Sequence, residues 1–197
     1  MNMSGSSKKP VIVGGHELAA IYDGAPRNVS QWIQRGSLTY DEAKVLSGKP
    51  YWTLQFAVKL GETFTRPKAP NMSVVEELIE QQSPGRTLVS ALTVHRSDLP
   101  AIVGKQEIVA MVGQEPTSWL PSLDHAIDAG TFAEPDWRMG GGSPLWLLDN
   151  ALVGIEKMRA VARTNPVAAD GTVVEALRAG TYDGPGARVL SKGPKKS

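Results

Sequence analysis

Pro26-Arg27-Asn28-Val29-Ser30-Gln31-Trp32-Ile33-Gln34-Arg35-Gly36 is the stretch whose reading decides the rest of the chain. Proline suits the first helical position, where its missing N–H costs nothing, and Val29, Trp32 and Ile33 recur at the i, i+3, i+4 spacing of a buried helical face. Gly36 then supplies the left-handed residue that ends the helix. Upstream, residues 17 to 22 predict a shorter helix with Leu18, Ile21 and Tyr22 on one face, stopped by Asp23-Gly24. Downstream, Ala43-Lys44-Val45-Leu46 and Pro50-Tyr51-Trp52-Thr53 read as the strands of a hairpin around Ser47-Gly48. Leu54, Ala57, Val58 and Leu60 supply a last short helix.

Helix, tight turn, helix, hairpin, helix is the order of a winged helix-turn-helix. Glu17-Leu18-Ala19-Ala20, the stretch from Pro26 to Gly36, and Gly48-Lys49-Pro50-Tyr51-Trp52 together resemble the MerR-like and phage excisionase-like winged-helix DNA-binding domains. The resemblance covers about 50 residues. It implies a mainly α fold with small β-hairpin wings, an α+β class, and a polar second helix that reads DNA.

The same pattern returns later in the chain, and a duplicated unit marks boundaries by itself. Ile12-Val13-Gly14 reappears as Ile102-Val103-Gly104, with Glu17/Glu107, Ala20/Ala110 and Ile21/Met111, at an offset of 90. From Ile33/Ile127 and Gly36/Gly130 onward the offset is 94, carrying Gly48, Pro50, Trp52, Leu54 and Ala57 onto Gly142, Pro144, Trp146, Leu148 and Ala151. Two tandem winged helix-turn-helix modules are therefore expected, at residues 11–66 and 101–160, after a flexible N-terminus at 1–10. The four extra residues of the second copy are expected in a lengthened turn at 114–120, with its second helix beginning at Pro121. Residues 67–100 read as a linker, with a helix near 74–82 opened by a Ser73/Glu76 capping box; its apolar stripe is expected to dock on a module. Residues 161–197 read as a C-terminal extension with a short helix over 173–179 and a mobile basic tail carrying Lys192, Lys195 and Lys196.

Composition excludes several function classes. The 197 residues contain no cysteine, which removes thiolate nucleophiles, iron–sulfur sites and nearly every structural zinc pattern. His16, His95 and His125 are too scattered for metal-ligand spacing, so no metal and no cofactor is expected. No nucleophile, base and orienting group converge by spacing, so the chain is not read as an enzyme. Apolar runs are far short of the roughly 20 residues that span a bilayer, and no apolar leader opens the chain, so a cytoplasmic protein with no membrane partner is expected. Charge is unevenly spread. Residues 1–66 hold eight basic against five acidic residues, a net of +3, whereas 101–160 hold four against eight, a net of −4. A polyanion is thus expected at the first module.

The candidate DNA-binding residues follow from that asymmetry. With Val29, Trp32 and Ile33 facing inward, Arg27, Asn28, Ser30, Gln31, Gln34 and Arg35 are left outward, an acid-free set whose Arg can pair with guanine and whose amides can pair with adenine. Lys49 at the hairpin tip, with Lys44 on its approaching strand, either meets a phosphate backbone or minor groove or belongs to an ordinary tight turn whose lysine blunts an exposed edge. In the second copy Asp124 and Asp128 replace Ser30 and Gln34 and would repel a phosphate backbone. There Ser122, His125 and Arg138 are secondary candidates for contact with DNA or a partner, and Trp119 either anchors another protein or plugs the longer loop. The tryptophans at 52 and 146 read as core.

The function expected is a sequence-specific binder of double-stranded DNA, a transcriptional regulator such as a repressor or an accessory factor of a bacterium, plasmid or phage. The alternative is a partition, replication or excision assembly factor, binding itself or another protein through its second module.

Overall fold

The computed structural model describes residues 9–161 and 167–189. The basic lysines of the C-terminal tail lie outside the described residues. In chain order the elements are β1 (Ile12–Val13), α1 (Gly15–Ile21), α2 (Pro26–Gln34), β2 (Lys44–Leu46), β3 (Lys49–Thr53), α3 (Leu54–Lys59), α4 (Met72–Gln82) and α5 (Leu88–Ala91). They continue as β4 (Ile102–Val103), α6 (Lys105–Met111), α7 (Pro116–Asp128), β5 (Trp137–Met139), β6 (Ser143–Leu147), α8 (Leu148–Val161) and α9 (Gly171–Ala179). Helices with two small antiparallel sheets of three strands make this an α+β chain.

Two compact units divide it: Met1–Lys44 with Tyr51–Leu99, and Val45–Pro50 with Pro100–Ser197. Each sheet has the same order, β1-β3-β2 and β4-β6-β5, so the leading strand pairs with the second strand of the hairpin. Even the register repeats, with Val13 opposite Trp52 and Val103 opposite Trp146. Both indoles are fully buried. Trp52 shares its core with Val13, Leu18, Ile21, Leu54 and Ala57, and Trp146 shares its own with Val103, Ile108, Met111, Leu148 and Ala151. The tryptophans are thus core side chains, as their placement after the proline predicts.

The repeat runs one helix further than the hairpin pattern. Asn71 and Asp170 cap the N-termini of α4 and α9, and their backbone N–H groups donate to Ile21 O and Met111 O, both at 2.7 Å. Ile21 and Met111 are themselves equivalent, at an offset of 90. Val75, Leu78 and Ile79 of α4 are buried in the first core, and Val174 and Leu177 of α9 in the second. Docking of the 74–82 stripe on a module is therefore observed. Its cap differs from expectation: α4 begins at Met72, and Asn71 Oδ1 accepts from Ser73 N and Val74 N. Asparagine at the N-cap offers its carboxamide oxygen to these free donors, which removes the need for a cap at Ser73. Near its other end, the Gln82 carboxamide both accepts from Ile12 N and donates to Ile12 O, at 2.9 Å each. A side chain thereby satisfies the outer edge of β1.

The expected long turn in the second copy is not there. α7 starts at Pro116, with Glu115 as its N-cap, just as α2 starts at Pro26 after Ala25. Turns between the helices are the same length in both copies. The four extra residues lengthen the helix itself, to 13 residues against 9, and Pro121 sits inside it. Four residues are about one helical turn, so the insertion leaves the buried face nearly in register.

Candidate nucleic-acid interface

α2 is held by aromatic packing on its inner side. Val29 is buried, and the Trp32 ring meets Tyr22 edge-on at 5.9 Å and Phe64 at 5.0 Å. Tyr22 is anchored in turn, its hydroxyl donating to Ala57 O at 2.8 Å and accepting from Gly61 N at 2.6 Å. Opposite that packing, Arg27, Ser30, Gln31 and Gln34 are all exposed. Residues at i, i+3, i+4 and i+7 share one ridge of a helix, so these four form a single outward line. Among the described residues no carboxylate forms an ion pair with Arg27.

The other two residues of the expected set are placed differently. Asn28 is half-buried, and its Nδ2 lies 2.8 Å from where a Cβ on Gly24 would stand, so the carboxamide covers the turn between the helices. Arg35 is exposed but forms the C-cap of α2, with its N–H donating to Gln31 O at 3.0 Å. It stands at the end of the ridge.

The hairpin cations are less free than a projecting tip requires. Lys44 is half-buried, and burial followed by the charge of Arg96 pushes its ammonium below the usual lysine range. Val45–Pro50 belongs to the second unit, where Ser47, Gly48 and Lys49 each make hydrogen bonds. Ser47 donates from its N–H to Glu107 Oε1 at 2.7 Å and from its hydroxyl to Oε2 at 2.8 Å, while Gly48 N donates to Gly186 O at 2.8 Å. Lys49 is exposed, with Nζ donating to Ser143 Oγ at 2.5 Å. Glu107 is only 2% exposed and also accepts from Gly104 N at 2.9 Å, the cap contact repeated by Glu17 on Gly14 N at 3.0 Å. Sequence reasoning paired Glu17 with Glu107 but gave neither a role. Their glycine three positions earlier was the available signal, because a carboxylate at the third helical position can accept from the N-cap N–H.

On α7 the outward residues are chemically different. Asp124 is drawn into an ion pair with Lys105 of α6, whereas Asp128, Ser122 and His125 are exposed. Trp119 is half-buried against the second core together with Leu120, which fits a plug rather than an exposed anchor, and it does so from within the helix. Arg138 is exposed on β5 and pairs with Glu134 at 3.0 Å. Among the described residues no group of three or more His, Asp or Glu is placed to hold a metal ion, and no helix is long and apolar enough to cross a membrane. Comparison of the chain with family models, curated proteins and solved structures gives no match.

Proposed function

We propose that the chain is a non-catalytic, sequence-specific binder of double-stranded DNA, built from two tandem winged helix-turn-helix units of which the first reads bases. The observation that carries this reading is the exposed, acid-free ridge of Arg27, Ser30, Gln31 and Gln34 on α2. An α-helix fits the major groove, where Arg pairs with guanine O6 and N7 and Gln pairs with adenine N6 and N7. Support for the winged-helix reading comes from the strand, helix, turn, helix, hairpin order and from the leading strand lying beside the second hairpin strand in both sheets. Regulation of transcription in a bacterium, plasmid or phage, in the cytoplasm, is the role this reading favours.

The second unit is assigned to phosphate or protein contact, because the outward side of α7 offers Asp128 beside Ser122 and His125 and no arginine. Selection from randomised duplexes, followed by a gel-shift titration, tests the main reading. Arg27→Ala or Gln31→Ala should each weaken the preferred duplex by about 1 to 3 kcal/mol and relax preference at one base pair. Equal binding of all duplexes by the unaltered chain would remove the reading.

A further inference from the structure

Lys44 and Tyr51 belong to the first unit and Val45–Pro50 to the second, so β2 and β3 each pass from one unit into the other within a strand. Domain boundaries ordinarily fall in pliable linkers. Here two neighbouring strands of one sheet make the passage, and their pairing fixes them to each other. The turn that joins them sits in a socket of the second unit. Glu107 accepts from Ser47 N at 2.7 Å and from Ser47 Oγ at 2.8 Å, Ser47 Oγ accepts from Gln106 N at 3.0 Å, and Gly186 O accepts from Gly48 N at 2.8 Å. A Cβ on Gly104 would collide with Ser47 Oγ, and one on Gly186 with Glu107 Oε1, so the socket is shaped to its occupant. Ser47 has a φ of 49°, in the left-handed region, where the second hairpin has Gly141 and Gly142 at 78° and 75°. A side chain there is strained and persists only where its surroundings hold it. Glu107 does so by taking both donors of Ser47, and hydrogen bonds to a carboxylate are of the strong kind.

Resting on the DNA-reading role of α2, we propose that this socket is a coupling device, through which the integrity of the second unit regulates DNA affinity at α2. Local opening of α6 withdraws Glu107 from Ser47, and the strained turn then loses the contacts that hold it. From Ser47 the chain runs through β3 to Trp52, which is fully buried and shares its core with Val29 of α2. The hairpin is therefore a short, paired path from Glu107 to the core beneath the reading helix. Coupling of this kind is reciprocal. DNA on α2 stabilises α6, and a partner that holds α6 closed raises the affinity of α2 for DNA by the same factor. The second hairpin differs, because Gly141 and Gly142 at its tip are exposed.

The test is amide hydrogen exchange on the full chain, with and without a synthetic duplex of the selected sequence. A duplex held at about 100 times its dissociation constant lowers the opening constant of every segment coupled to α2 by up to about 100-fold. Exchange should therefore slow both at 27–34 and at 105–111 in the unaltered chain. Ser47→Gly relaxes the left-handed turn and removes the hydroxyl while leaving the Gly104 cap contact of Glu107 in place. It should cut the slowing at 105–111 severalfold and leave that at 27–34 intact. Glu107→Gln should act in the same direction. If the unaltered chain slows at 27–34 alone, the hairpin transmits nothing and α2 remains the reader. If either variant keeps the full slowing at 105–111, the duplex protects the second unit by some other route and the coupling through Ser47 and Glu107 is overturned. If the unaltered chain shows no duplex preference and no slowing at 27–34, both the coupling and the reading on which it rests fall.

Discussion

Tyr182 and Glu107 show how single side chains set the chemistry of the second unit. Burial, then the charges of Glu107 and Asp183, push the Tyr182 phenol up from 10.0 to about 12, while its hydroxyl donates to Pro185 O at 3.0 Å. A folded-state pKa above the unfolded one means that the native chain holds this proton longer. Its contribution to stability is complete below about pH 10 and is lost as pH rises through about 12. Tyrosinate absorbance titration of the folded chain should therefore show a late step near pH 12 that Tyr182→Phe removes. A titration curve unchanged in shape by that substitution would contradict the burial of this phenol. Nothing in the sequence marks Tyr182, because its neighbour Glu107 is 75 positions away. Arg27, Ser30, Gln31 and Gln34, by contrast, are legible from the period of the apolar residues around them. Asn28 is not: periodicity places it at the edge of the face, and only the close approach of Gly24 draws it inward.

At the scale of elements, α7 is the instructive case. Pro116 and Pro121 both satisfy the rule that proline favours a helix start, and a four-residue insertion preserves helical phase whether it lies in the turn or in the helix. The sequence pattern could not separate the two, and the backbone does so by matching Pro116 to Pro26. An exposed proline within a helix removes one i→i−4 hydrogen bond and crowds the preceding turn. Pro121→Ala should consequently raise the stability of the chain by about 2 kcal/mol, read as a higher urea midpoint with unchanged slope. A lower midpoint would mean that the ring makes a contact worth more than the helical bond. The equivalence of α4 and α9 was also within reach, since Asn71-Met72-Ser73-Val74-Val75-Glu76 matches Asp170-Gly171-Thr172-Val173-Val174-Glu175 at an offset of 99. A third offset hid it, because loops between conserved contacts change length without changing the core they connect.

For the whole molecule, duplication followed by divergence bears on stoichiometry. A dimeric helix-turn-helix protein reads a palindrome because identical helices are related by a twofold axis. Here α2 offers Arg27 and Gln31 outward, and α7 offers Ser122, His125 and Asp128. Unlike helices within one chain do not require a palindrome, so native mass spectrometry on a minimal selected duplex should find one chain per asymmetric site. Two chains on a symmetric site would show that the internal repeat does not replace dimerisation. Ser122→Ala and His125→Ala in the full chain should leave the base preference unchanged in the same selection.

The sequence alone determined the repeat, the helix pairs, the hairpins and the buried tryptophans, because each rests on local spacing: apolar periods of 3.6 or 2 and the backbone demands of glycine and proline. Tertiary structure decided which polar residues are free to act. Glu107 engages Ser47, Lys105 engages Asp124, Phe64 packs on Trp32, and Lys68 donates to Tyr22 O. Those partners are 60, 19, 32 and 46 positions apart in the chain. Hydrogen bonds and ion pairs depend on distance in space, which no local period encodes.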